Sequence, residues 1–137
     1  MNDQRTCTVD DISREELLQV IGDFLEMGHV ENIVAMFKQD DSLYALTGDL
    51  LRDERFAVRL GTAVLFEELV LQRPRQTPKA IPALQPLLSE PIPALRGEAA
   101  NILGIIGTDA AFRSLSPLRN DPDPQVAEIV EDILGSN

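Results

Sequence analysis

Residues 90–107 read EPIPALRGEAANILGIIG, and degenerate forms of this phrase occur twice more in the chain of 137 residues. Each copy opens on an acidic residue, and the three openings are Asp53, Glu90 and Asp121. An arginine stands six residues later in the first two copies, at Arg59 and Arg96, whereas the third copy has Ala127 there. Self-similarity at a period of about 20 to 50 residues is the sequence signature of a repeat architecture. The phrase therefore predicts an array of stacked helices.

Hydrophobic spacing of the helical type divides most of the chain into predicted helical hairpins. Three hairpins carry the phrase and span about residues 42–72, 78–107 and 109–135. A further hairpin at residues 13–39 lacks the phrase, and we interpret it as a divergent terminal repeat of one domain at 13–137. Residues 1–12 are polar and aperiodic, so they are predicted to form a loose segment. Strand-type alternation is absent, and the predicted fold class is all-α.

Local signals place the ends and the bends of these helices. Ser13 and Glu16 have the spacing of a capping box, so the first helix is predicted to begin there, and Gly28 is expected to end it. Pro86 and Pro117 each stand four residues before an acidic opening position. Proline removes a backbone hydrogen bond and kinks a helix. The shared register therefore predicts the same bend in two successive repeats.

The phrase resembles that of HEAT-repeat proteins, in particular the short bacterial and archaeal HEAT-like repeats that also occur in phycobilin lyases. The residues that carry the resemblance are Leu87, Leu88, Glu90, Pro93, Leu95, Arg96, Ala99, Ala100, Leu103, Gly104 and Gly107. The resemblance covers roughly residues 43–135 and is strongest at 81–107. It implies a right-handed α-solenoid of about four antiparallel helical hairpins.

Composition and charge exclude several classes of partner. The chain has 12 Lys and Arg residues against 23 Asp and Glu residues, for a net charge of −11. Nucleic-acid binding depends on cations that neutralise phosphates, so neither a nucleic acid nor an anionic membrane surface is expected as a partner. A zinc site needs three or four converging ligands. The only cysteine and histidine are Cys7 and His29, so no metal and no cofactor are expected.

The sequence also predicts the cellular compartment of the protein. No apolar run approaches the length of a transmembrane helix, and the first residues have no apolar core of a signal peptide. A single cysteine cannot form an internal disulfide, so nothing in the sequence indicates an oxidising compartment. We therefore expect a cytoplasmic protein.

The charged positions of the phrase are interpreted as a structural ladder. The resemblance implies that Arg59 and Arg96 hydrogen-bond acidic or carbonyl groups between successive repeats. The acidic members of this ladder are Asp53, Glu90 and Asp121. The alternative is that the two arginines bind a ligand directly. The structural interpretation predicts that substitution of Arg96 lowers stability and that any loss of binding is secondary.

The candidate partner-binding residues form a stripe on the second helices of the repeats. The resemblance implies that this stripe lines the concave side of the array. Its members are Leu60, Val64, Glu68, Gly97, Asn101, Ile105, Glu128 and Asp132. Apolar residues at one end and acidic residues at the other suit a protein with a hydrophobic anchor and a basic rim. The alternative is that the N-terminal helices cover Leu60 and Val64.

These observations predict a non-catalytic protein–protein interaction module, an adaptor or scaffold, rather than an enzyme. The sequence has no glycine-rich phosphate loop and no nucleophile elbow. Adjacent carboxylates such as Glu67 and Glu68 do not face each other on a helix, so they do not form an acid–base pair. The resemblance leaves two other functions open. One is a bilin-lyase-related subunit that holds a ligand, and the other, disfavoured by the acidic stripe, is a nucleic-acid binder.

Overall fold

The fold was established from a computed structural model that describes residues 13–135. Its eight α-helices are α1 (Arg14–Glu26), α2 (Val30–Gln39), α3 (Thr47–Leu51), α4 (Phe56–Gln72), α5 (Ile81–Leu84), α6 (Pro93–Ile106), α7 (Asp109–Leu115) and α8 (Pro124–Leu134). Shorter 3-10 segments span Asp41–Leu46, Thr77–Ala80, Gln85–Ser89 and Ser116–Asn120. No β-strand occurs within the described residues, so the predicted all-α class is confirmed. The predicted loose segment 1–12, which includes Cys7, lies outside the described residues.

Local side-chain and backbone hydrogen bonds fix both ends of α1. The Ser13 hydroxyl oxygen accepts a hydrogen bond from the Glu16 N–H at 3.0 Å, and the Ser13 N–H donates to Glu16 Oε1 at 3.2 Å. The predicted capping box is therefore confirmed. At the other end Gly28 has a φ of 84°, and the His29 N–H donates to the Phe24 carbonyl at 2.9 Å. This is the left-handed glycine stop expected from the sequence.

The two prolines change the type of helix at the same register. The chain passes from α5 to a 3-10 segment at Gln85, immediately before Pro86. It passes from α7 to a 3-10 segment at Ser116, immediately before Pro117. A proline has no N–H and its ring collides with the carbonyl four residues earlier, so the α-helical bonding pattern ends and a tighter turn continues. The expected bend is thus a change of helix type. The sequence predicts first helices of these hairpins at about residues 78–89 and 109–119, so α5 and α7 are shorter than predicted.

The longer helices stack in one row, in the order α1, α4, α6 and α8. Glycines let neighbouring helices in this row approach closely. A Cβ atom added at Gly61 of α4 would lie 3.0 Å from the Leu25 Cβ of α1. A Cβ atom added at Gly104 of α6 would lie 2.8 Å from the Ile133 Cδ1 of α8. The shorter helices and the 3-10 segments pack against this row, and α2 packs against α4 and segment 41–46.

One hydrophobic core runs through all of these elements. An aromatic cluster formed by Phe37, Tyr44 and Phe66 joins α2, segment 41–46 and α4. The ring centroids of Phe37 and Tyr44 lie 5.0 Å apart, and those of Tyr44 and Phe66 lie 6.1 Å apart. The N-terminal helices therefore share the core of the phrased repeats, although they lack the phrase.

Helix α3 approaches the backbone of α5 closely at Gly48. A Cβ atom added there would lie 2.6 Å from the carbonyl oxygen of Ala83 in α5. Overpacking of this kind lowers stability by about 1–3 kcal/mol, whereas alanine improves helix propensity by about 1 kcal/mol. We therefore expect Gly48→Ala to lower the free energy of unfolding by a net amount of about 1 kcal/mol.

The matched control for this prediction is Gly97→Ala. The atom closest to a Cβ added at position 97 is Ile129 Cδ1 at 3.2 Å, the end of a flexible side chain that can change its rotamer, whereas a backbone carbonyl inside a helix cannot yield alone. Urea denaturation of both variants provides the measurement. A Gly48→Ala variant that is as stable as the unsubstituted protein, or more stable than Gly97→Ala, would contradict the packing described here.

Candidate functional site

A groove with a volume of about 350 Å³ opens between α4, α6 and α8. Its lining is mixed in size and polarity, with large apolar side chains on α4 and α8 and small residues on α6. The lining residues are Leu51, Phe56, Arg59, Leu60, Ala63, Pro93, Ala94, Gly97, Glu98, Asn101, Ile102, Asp123, Gln125, Val126 and Ile129. Ala94 is small and exposed, whereas Gly97 lets Ile129 of α8 approach α6 closely, because a Cβ atom added at position 97 would lie 3.2 Å from Ile129 Cδ1.

A stripe of exposed apolar side chains, which we call the α4 stripe, runs along one wall of the groove and beyond it. It consists of Phe56, Leu60 and Val64, whose exposed fractions are 64%, 52% and 38%. Each of these residues follows the previous one by four positions, so all three lie on one face of the helix. Helices α1 and α2 therefore do not bury Leu60 and Val64. Contiguous exposed apolar side chains of this kind mark surfaces that bind other molecules.

The structure brings only part of the predicted partner-binding stripe into the groove. Leu60, Gly97 and Asn101 line it. Val64 lies one turn beyond Leu60, and Ile105 is half-buried on α6. The acidic members of the predicted stripe are exposed and lie outside the groove lining; these are Glu68, Glu128 and Asp132.

Sequence reasoning missed two groove residues that matter for its chemistry, Phe56 and Glu98. Phe56 precedes Leu60 by four residues, so helical spacing extended one turn toward the N-terminus would have found it. Glu98 follows Arg96 by two residues, and nothing in the phrase distinguishes it from a solvated surface acid. Its position becomes meaningful only when α4 and α6 are placed side by side.

An arginine and a glutamate connect the two walls of the groove. Arg59 Nε donates to Glu98 Oε2 at 3.1 Å, and Arg59 Nη1 donates to the carbonyl oxygens of Asp53 at 2.9 Å and Glu54 at 3.0 Å. The Arg59 guanidinium carbon also lies 5.6 Å from the centroid of the Phe56 ring, a cation–π contact. Glu98 Oε1 is buried and has no hydrogen-bond partner among the described residues. The carboxylate of Glu98 is therefore only half satisfied.

The other predicted ladder arginine joins the last two repeats. Arg96 Nη1 donates to the Glu90 carbonyl at 2.7 Å, while Arg96 Nε and Nη2 each donate to a carboxylate oxygen of Asp121 at 2.8 Å. The Arg96 and Asp121 side chains are only 12% and 5% exposed. The hydrogen bonds from Arg96, together with the N–H of Asp123, lower the pKa of Asp121. The Glu90 carboxylate binds Arg52 at 2.7 Å.

A third arginine connects the first phrased repeat to α1. The Asp53 carboxylate accepts hydrogen bonds from Arg55 Nε at 3.0 Å and Nη2 at 2.9 Å. Arg55 Nη1 donates to Asp23 at 2.9 Å and to Glu26 at 2.8 Å, both on α1. Hydrogen bonds from Arg55 lower the pKa values of Asp53 and Asp23. Sequence reasoning did not single out Arg55, because its partners on α1 are distant in the chain.

Residues 13–135 contain no cluster of three or more side chains of the types that ligate metals. His29 precedes α2 and lies edge to face against Phe24, with the ring centroids 6.1 Å apart. In the same part of the chain no helix combines the length and the hydropathy that a bilayer crossing requires.

Comparison with known proteins identifies the family. A family model described as HEAT repeats matches residues 49–135, which is more than half of the chain. No curated protein and no solved structure matches the chain. The matched range contains all three copies of the phrase and the stacked helices α4, α6 and α8. The chain therefore belongs to the HEAT-repeat family.

Proposed function

We propose that this protein is a non-catalytic adaptor that binds a partner protein in the groove between α4, α6 and α8. HEAT repeats commonly mediate protein–protein interactions, and the family generally provides scaffolds rather than catalysts. The observation that carries the proposal is the α4 stripe, which leaves three large apolar side chains in contact with water beside a groove. In this proposal the hairpins form a right-handed solenoid of about four repeats, and the groove lies on its concave side.

Burial of the α4 stripe supplies the binding free energy in this proposal. Full burial of one large apolar side chain contributes about 1.5–3 kcal/mol. Leu60 lies between Phe56 and Val64 and lines the groove, and residues at the centre of an interface contribute most to affinity. The stripe is held on a regular helix whose opposite face is in the core, so binding requires little rearrangement.

The prediction that tests this proposal concerns Leu60→Ser. Because Leu60 is largely exposed, the substitution is expected to leave the fold intact and to weaken binding of the partner about tenfold or more. Affinity capture of the tagged protein from its native lysate, quantified by mass spectrometry, provides the measurement. Circular dichroism of the variant checks that it is folded.

The control is Val20→Ser on α1, because Val20 is 45% exposed and does not line the groove. A partner retained by Val20→Ser and lost from Leu60→Ser supports binding in the groove. A partner that both variants retain at the level of the unsubstituted protein would rule out the groove as the binding surface.

A further inference from the structure

We infer that the groove takes a basic amphipathic helix of the partner protein, with apolar side chains on the α4 stripe and a Lys or Arg side chain bonded to Glu98. This inference rests on the function proposed above and adds the chemical class of the partner. The groove, its charges and the half-satisfied carboxylate of Glu98 support it.

The charges of the groove favour a positively charged occupant. Glu98 and Asp123 line it, and Arg59 is the one cation in the described lining. That cation already binds Glu98 and two carbonyl groups. The helices that form the walls carry further exposed acidic side chains outside the lining, and these are Glu67 and Glu68 on α4 and Glu128 and Asp132 on α8. Complementary charge across an interface selects basic partners and opposes acidic ones.

Glu98 provides a specific acceptor for such a cation. Its Oε2 accepts a hydrogen bond from Arg59 Nε, whereas its Oε1 is buried without a donor. A buried polar atom without a hydrogen-bond partner is unfavourable. A hydrogen-bond donor supplied by a bound helix therefore contributes more binding free energy here than at a solvated carboxylate. Glu98 lines the groove and 30% of its side chain is exposed. Because the terminal torsion of a glutamate is broad, the inference requires a rotation that brings Oε1 to the groove, where it forms a charge-assisted hydrogen bond with the cation of the partner.

The shape of the α4 stripe suits a helix. Phe56 and Val64 are eight residues apart on α4, which corresponds to about 12 Å along the helix axis. A partner helix presents apolar side chains over the same length when they are spaced by three and four residues. The small, exposed residue Ala94 leaves room for those side chains beside α6.

Two other occupants have the wrong charge. A second copy of this chain carries a net charge of −11, so two such acidic surfaces repel each other. Residues 1–12 of the chain contain one arginine and three aspartates, a side-chain charge of 1 − 3 = −2. Charge complementarity therefore assigns the groove to a basic segment of another protein.

Selection from a displayed peptide library tests this inference. The library consists of helical peptides of roughly 18 residues, about 27 Å long, with apolar residues at helical spacing. The positions beside the apolar residues are randomised equally among Lys, Glu and Gln. Selection uses the full-length protein, and counter-selection uses Leu60→Ser, which leaves the net charge unchanged. We expect enriched peptides to carry Lys in clear excess over Glu and to bind Leu60→Ser about tenfold more weakly.

The contradictory outcomes separate the two proposals. If no peptide distinguishes the unsubstituted protein from Leu60→Ser, the inferred helical occupant is wrong, and the lysate capture with Leu60→Ser decides separately whether the groove binds a protein. If such peptides appear without a preference for Lys, the inferred basic partner is wrong and the proposed function stands. A dimer in sedimentation that Leu60→Ser converts to a monomer would assign the groove to a second copy and overturn the inference.

The role of Glu98 has its own test with the most enriched peptide. We expect Glu98→Gln to weaken binding about tenfold in calorimetric titration, because the amide keeps the shape of the side chain and removes its charge. The control is Glu31→Gln, the same substitution at an exposed residue of α2 outside the groove lining, which is expected to change the affinity by no more than about twofold. Equal affinities for the two variants would overturn the assignment of Glu98 as the acceptor.

Discussion

Phe37→Ala is expected to lower the free energy of unfolding by about 3–5 kcal/mol. Phe37 is fully buried on α2, and its ring packs edge to face against Tyr44 and Phe66. Truncation leaves a cavity that rigid helices close only in part. It also removes the aromatic contact between α2 and α4, so the N-terminal helices are expected to lose their attachment first.

The control is Phe56→Ala, which makes the same change at a side chain that is mostly exposed. We expect this variant to lose less than about 1 kcal/mol of stability, because the side chain is mostly exposed and loses only its cation–π contact with Arg59. Urea denaturation gives both free energies, and amide hydrogen exchange locates the loss in Phe37→Ala. Similar losses in the two variants, or unchanged protection of α2 in Phe37→Ala, would contradict a core shared by α2 and the repeats.

Asp121→Asn is expected to lower the free energy of unfolding by about 3 kcal/mol. Asp121 receives two hydrogen bonds from Arg96 and one from the N–H of Asp123, and its side chain is almost fully buried. The amide has the same shape, but it leaves the nearly buried guanidinium without a counter-charge. It also directs an N–H group at a donor of Arg96. The stacking of the last two repeats is therefore weakened.

Glu131→Gln is the matched control, because Glu131 also pairs with an arginine, Arg119, at 2.8 Å. Both partners of that pair are far more exposed than Asp121 and Arg96. An exposed pair of this kind contributes about 0–1 kcal/mol. Thermal unfolding followed by circular dichroism compares the two variants. Equal melting temperatures would show that the Arg96–Asp121 pair does not stabilise the array.

The pH dependence of stability follows from the same carboxylates. The pKa values of Asp23, Asp53 and Asp121 are all lowered from their ordinary value of 3.8. A group whose pKa is lower in the folded state stabilises the protein above its unfolded-state pKa, and that stabilisation is lost as the pH falls through its folded-state pKa. We therefore expect the contribution of these carboxylates to the free energy of unfolding to be nearly constant near neutral pH. Below about pH 4 we expect the free energy of unfolding to fall steeply.

Urea denaturation across this pH range measures the effect. The Asp121→Asn variant is expected to show a shallower decline below about pH 4, because it has one fewer proton to bind on unfolding. A variant with the same acid dependence as the unsubstituted protein would exclude Asp121 as a source of it.

The sequence predicted most of the local structure because its signals act within one or two helical turns. The Ser13 and Glu16 capping box, the stop at Gly28 and the shared register of Pro86 and Pro117 are all of this kind. The repeated phrase supplied the stacking of the last three units. Helices α5 and α7 are shorter than the sequence predicts. A proline that only bends an α-helix and a proline that changes it into a 3-10 segment give the same signal in the sequence.

Tertiary neighbours account for what the sequence did not predict. The contact of Arg55 with Asp23 and Glu26 depends on where α1 packs, and α1 lies in the part of the chain without the phrase. Leu60 and Asn101, which sequence reasoning assigned to one stripe, both line the groove, whereas their role in binding stays a prediction. The pairing of Arg59 with Glu98 was not predicted, because it depends on the lateral fit of α4 and α6.

Site-specific photo-crosslinking tests most directly whether a protein binds in the groove. A benzophenone amino acid placed at position 101 lies in the lining of the groove. One placed at position 85 lies at the start of the 3-10 segment that follows α5, outside the lining of the groove. In the native lysate we expect irradiation to give a discrete protein adduct from position 101 that is absent from position 85 and weakened by Leu60→Ser. Adducts from position 85 alone, or an adduct from position 101 that Leu60→Ser leaves unchanged, would contradict the groove as the binding surface.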